Sequence, residues 1–74
     1  MESTFNENLR RIRKEKGVTQ EQLAEAVGVS PQAVSKWEIG SFPDAALLPK
    51  IAKRLEVSID ELFGLRNESI SIYD

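Results

Sequence analysis

Phe5, Leu9 and Ile12 recur at i, i+4 and i+7, the apolar stripe of a first helix that ends near Lys16, with Gly17 just past its end. Arg10, Arg11, Arg13 and Lys14 fall between the stripe positions and are expected on the wet side, grading into a last turn where cations complement the helix dipole. Thr19 and Gln22 have the spacing of a capping box and open a second helix whose buried side is Leu23, Ala24 and Val27. Gly28 ends that helix and Val29 follows as an apolar plug. Ser30, a good N-cap, with Pro31 in the first helical position, then starts a third helix across a tight turn.

At 100° per residue the third helix, about residues 31–38, divides into two faces. Val34 and Trp37 point to one side; Gln32, Ser35 and Lys36 point to the other, with Ala33 on the border. An amide, a hydroxyl and an ammonium make the outer side a hydrogen-bonding surface. Residues 39–44 read as a loop from their turn chemistry, and Leu47, Leu48, Ile51, Ala52 and Leu55 mark a strongly amphipathic fourth helix. Pro49 belongs in its first turn, because a proline deeper inside costs about 3 kcal/mol, so the regular part is expected from Leu48. Ser58 and Glu61 repeat the capping-box spacing and open a fifth helix with Ile59, Leu62 and Phe63 as its apolar positions, stopped by Gly64. The alternation Ile70-Ser71-Ile72-Tyr73 reads as a short strand or an extended tail. The expectation is an all-α, compact five-helix domain over residues 1–64, and residues 65–74 as a tail or the start of a linker or dimerisation segment.

Composition narrows the chemistry. A chain of 74 residues builds one small core, and 41% hydrophobic with 30% charged residues is ordinary globular usage. Cysteine and histidine are both absent. Thiolate metal sites, disulfides and the commonest general base are thereby removed, no glycine-rich phosphate loop is present, and no catalytic role, metal or cofactor is expected. Asp60 and Glu61 sit where a helix start favours negative charge, which accounts for them without acid–base catalysis. No run approaches the roughly 20 apolar residues that span a bilayer, so a cytoplasmic protein without membrane association is expected. The net charge of −2 argues weakly against a nucleic-acid partner, but it hides a gradient. Residues 1–37 carry six basic and five acidic side chains, whereas 38–74 carry four and seven.

Residues 20–39, QEQLAEAVGVSPQAVSKWEI, resemble the helix-turn-helix of the phage-repressor family, the Cro- and cI-like or XRE-like regulators. Leu23, Ala24, Gly28, Val29, Val34 and Trp37 stand where that motif places apolar, small, turn, apolar, apolar and apolar residues. The flanking first helix and the IAKRLEVSIDEL segment extend the likeness over about residues 5–64, to the family's lambda-repressor-like domain. The resemblance implies that the third helix enters the major groove of double-stranded DNA. Gln32 would then bond an adenine edge and Lys36 a guanine edge, with Ala33 against a thymine methyl and Ser35 against a base or phosphate. It further implies phosphate contacts from Gln20, Thr19, Arg10 and Arg13, and an ion pair between Arg13 and Glu38 that joins the first helix to the end of the recognition helix.

Two departures bear on strength. Pro31 stands where some relatives carry a base-reading polar side chain, and the loop around Asp44 lacks basic residues, which implies modest affinity for a single copy. The expected function is sequence-specific transcriptional regulation, by repression, as a homodimer on a near-palindromic operator. A rival is a helical protein-interaction module that keeps the fold without binding DNA; an antitoxin that also holds a toxin, or a further C-terminal domain, are other partners the sequence leaves open. Phe42, in the loop, fits either a dimer contact or a cover over the core edge.

Overall fold

Four of the five helices begin at a hydroxyl. In the computed structural model, which describes residues 4–65, Thr4, Thr19, Ser30 and Ser58 each accept a backbone N–H from three residues on, at 3.0 to 3.2 Å. These caps open α1 (Phe5–Glu15), α2 (Gln20–Val27), α3 (Pro31–Trp37) and α5 (Ile59–Leu62). In three of them the box is closed by a returning side chain, Glu7, Gln22 and Glu61. The box at Thr4 and Glu7 fixes a start that the Phe5–Leu9–Ile12 stripe does not locate.

The remaining helix, α4 (Leu48–Leu55), has no side-chain cap and grows out of a 3₁₀ turn, Ala45–Leu47, whose own cap is the Asp44 carboxylate accepting from the Ala46 amide at 3.0 Å. Pro49 lies at the start of α4, where its missing N–H costs nothing. Gly28 ends α2 at φ 88°, in the left-handed region that a Cβ disfavours, and the Gly28 and Val29 amides both donate to the Ala24 carbonyl. The same geometry at the end of α4 falls on Glu56, at φ 61°, without glycine's freedom.

Leu9, Leu23, Val34, Ile51, Leu55 and Leu62 are fully buried and come one each from α1, α2, α3 and α5 and two from α4, so every helix contributes to one core. The described residues are all helical or connecting; no strand occurs among them. No helix among them is long and apolar enough to cross a membrane. The Ile70–Tyr73 alternation lies outside the described residues.

Two expectations need correcting, and one buried polar residue joins them. Arg13 is 8% exposed, not on the wet face, because α1 turns that flank toward the α1–α2 connection and the end of α3. In α5 only Leu62 is sealed; Ile59 and Phe63 each keep 37% of their surface, since a four-residue helix has room for one inward position. Asn8, on the inner side of α1, is buried, and its amide donates to the Leu62 carbonyl at 3.3 Å, tying α1 to α5.

Candidate nucleic-acid interface

The α2–α3 pair is built by size before polarity. Ala24 is 1% exposed where the two helices cross, and Val27, Val34 and Trp37 fill the wedge beneath them. Burying Val34 and Trp37 fixes which way α3 is rolled. Gln32 and Lys36, four residues apart, are both left exposed; Ser35 is half-buried between them, and Ala33 is half-buried with its methyl against the core. The sequence-derived division of α3 therefore holds at each of these positions, with Ala33 closer to the core than to water.

Underneath the C-terminal end of α3 lies a polar cluster. The Glu38 carboxylate is buried, and its Oε2 accepts from Arg13 Nε at 2.5 Å. Its Oε1 accepts from Arg13 Nη2 at 3.2 Å and from Gln20 Nε2 at 3.1 Å. Arg13 Nη1 donates in turn to the Val18 carbonyl at 2.7 Å, in the α1–α2 connection. Three helices thus converge on one carboxylate, and the fork of the guanidinium makes the contact directional as well as charged.

This arrangement redistributes the residues grouped above as phosphate contacts. Arg13 is committed to Glu38 and Val18, so it acts as a strut. Gln20 spends an amide hydrogen on Glu38, which aims the first turn of α2. The Thr19 hydroxyl accepts from the Gln22 amide at 3.0 Å and holds the helix start open toward solvent. Arg10 is exposed on α1. Asn6, which sequence reading passes over, donates to the Trp37 carbonyl at 2.5 Å and the Ser41 carbonyl at 2.8 Å. It stitches α1 to the end of α3 and the loop beyond. The only local signal for it is its place beside Phe5, and nothing local names its distant acceptors.

Two short helices crossing at a glycine-terminated turn, the second rolled by buried valine and tryptophan to present an amide and an ammonium, define a helix-turn-helix domain. The chain belongs to the helix-turn-helix family, whose profile matches residues 9–62. It is 51% identical over 61 residues to the HTH-type transcriptional activator BcrR of Enterococcus faecalis, a match covering 81% of this chain and 30% of that protein. Three further relatives are matched over 54 to 59% of their lengths, so the chain spans between about a third and three fifths of these four curated relatives. Among solved structures, the P22 c2 repressor in complex with a synthetic operator superimposes with a TM-score of 0.79 at 32% identity, over 86% of this chain and 98% of that one. A structure of FeII HppE in complex with substrate also shares the fold, with a TM-score of 0.76 at 29% identity, but over only 36% of its chain. The fold by itself therefore does not assign a function; the face of α3 must.

Proposed function

We propose that this chain is the sequence-reading part of a transcriptional regulator, acting in the cytoplasm by binding double-stranded DNA with α3 in the major groove. The observation that carries the reading is the pairing of Gln32 and Lys36, exposed one turn apart on a helix anchored beneath by Val34 and Trp37. The amide of Gln32 matches the donor–acceptor edge of adenine, and the ammonium of Lys36 matches the two acceptors of guanine. Ser35 and Ala33 flank them, each half-buried, with only the part of the Ala33 methyl not packed on the core left to meet a base. Thr19, Gln20 and the free amides at the start of α2 supply phosphate contacts, with Arg10 adding charge from α1.

In this reading Arg13 and Glu38 touch no base: they set the angle between the start of α2 and α3, so that phosphate and base contacts form together. One copy reads a short stretch, and two copies related by a two-fold axis place their α3 helices about 34 Å apart on a near-palindromic site. Repression follows most simply, since such a dimer covers about a turn of duplex or more and needs no further contact to block access. The P22 c2 likeness supports the geometry of the reading; the likeness to an activator leaves the direction of regulation to experiment.

Selection of sites from random duplex DNA tests the proposal. Gln32→Ala and Lys36→Ala are each expected to reduce discrimination between the selected site and random duplex by about 1–3 kcal/mol. Lys36→Ala is expected in addition to flatten the salt dependence by about one charge. Failure of the chain to enrich any sequence, or to bind duplex DNA at low salt, refutes it in favour of a protein-interaction module.

A further inference from the structure

We infer that Ile39 is a further base-reading residue whose side chain lies against the C5-methyl of a thymine toward the edge of the half-site, an inference that rests on the major-groove reading above and extends it. Ile39 is 80% exposed, and among the described residues no large hydrophobic side chain is more so. Counted along the chain, Gln32, Lys36 and Ile39 stand at i, i+4 and i+7, and Glu38, just before the isoleucine, keeps right-handed helical backbone angles at φ −88° and ψ −6°. At 100° per residue the three fall within an arc of about 60°. The isoleucine therefore prolongs the outer face of α3 past the helix end.

Single exposed aliphatic residues are common on protein surfaces, so exposure alone decides nothing. Two further observations do. The fold makes no demand for an apolar side chain at this place: Ile39 belongs neither to the core nor to the half-buried residues packed on it, and its backbone is not left-handed. That backbone is nevertheless pinned. The Ile39, Gly40 and Ser41 amides all donate to the Lys36 carbonyl, at 3.1, 3.1 and 2.9 Å, and Glu38 is buried in its contact with Arg13. A β-branched side chain on a fixed backbone has few rotamers to lose when it is covered.

The chemistry of the groove names the partner. The base edges there present donors, acceptors and one apolar group, the thymine methyl. Isoleucine has no atom that bonds a donor, an acceptor or a phosphate, so the methyl is the groove feature that gains from covering it. Seven residues at about 1.5 Å each put Ile39 about 10 Å along the helix from Gln32, or about three base-pair steps. The thymine is expected about that far from the pair read by Gln32, on the far side of the pair read by Lys36. Ala33, which also has a methyl to offer, stands beside Gln32 at the other end of α3 and meets a different step.

The test uses the 74-residue chain and the site it selects from random duplex, with each thymine replaced in turn by deoxyuridine, which lacks only the C5-methyl. At the expected step that replacement should weaken binding about three- to fourfold, the effect of uncovering one methyl-sized group. In Ile39→Ala, shown folded by its helical circular dichroism, the same replacement should cost less than about 1.5-fold, while a thymine facing Ala33 keeps its full dependence. Ile39→Lys, carried through the selection, is expected to exchange that thymine for guanine. A selected site without a thymine at that step, or a methyl dependence that Ile39→Ala leaves unchanged, overturns the inference while leaving DNA reading intact. So does an Ile39→Lys chain that keeps the original site but binds every duplex more tightly, with a salt dependence steeper by about one charge, because the residue then faces a phosphate. Failure to select any site refutes the major-groove reading, and the inference with it.

Discussion

The two ends of α3 are held by opposite kinds of force. At its start, Ser30 caps the Ala33 amide, Pro31 pre-sets the backbone, and Val34 sinks into the aliphatic core. At its finish, the cap is Glu38, a buried anion held by Arg13 and Gln20, with Asn6 donating to the Trp37 carbonyl. Apolar packing decides which side of the helix faces water, but it is indifferent to small rotations and slides. Hydrogen bonds to a carboxylate are directional, so the polar end fixes where along its axis and at what angle the outer face is presented.

Removing one partner from the polar end should have the largest effect. Arg13→Ala strands a buried carboxylate with Gln20 alone and is expected to lower unfolding stability by about 3–5 kcal/mol in urea titration. Replacing both charges, Arg13→Met with Glu38→Leu, should recover most of that stability. The same double variant should recover less of the discrimination between DNA sequences, because the angle is then no longer specified. Equal recovery of both would mean that the pair adds no directionality and the contrast between the two ends fails.

At the apolar end, Val34→Ala is expected to cost about 2 kcal/mol through lost burial and the space left behind. Selectivity should be retained by whatever fraction stays folded. The smallest effect belongs to the cap: Ser30→Ala is expected to remove about 1 kcal/mol, read as a shift of about 4–8 °C in the melting midpoint of a domain this size. Any of these apolar-end or cap variants that alters site preference more than stability would reverse the division of labour.

The legible part of the molecule is the part whose causes are local. The capping hydroxyls of Thr19, Ser30 and Ser58, Gly28, Pro31 and the placement of Pro49 in the first turn of α4 each act over three or four residues, so the chain writes them out in order; the box at Thr4 and Glu7 has the same local spacing and was passed over. The faces of α3 follow from spacing alone. Arg13 did not follow from spacing: a charged residue between stripe positions is assigned to water by rule, and the resemblance, while pairing it with Glu38, still counts it among the phosphate contacts, whereas it is buried. Asn6 and Asn8 were not legible, because their acceptors lie far along the chain and no local pattern distinguishes an asparagine that will find a carbonyl from one that will face solvent; for Phe42, open between a dimer contact and a cover over the core edge, the sequence does not name the Phe5 and Phe63 rings it packs on. Glu56 was missed for another reason, since a left-handed glutamate contradicts the expectation that glycine fills such a place.

The burial of the Arg13–Glu38 pair separates how firmly this surface attracts from how accurately it is aligned. Dissolved ions attenuate fields between exposed charges beyond a Debye length of about 8 Å at physiological ionic strength, and Lys36 and Arg10 stand in their reach. The strut beneath is closed to them. Rising electrolyte should therefore shorten the residence of the protein on every duplex while leaving its ranking of one sequence over another largely unchanged.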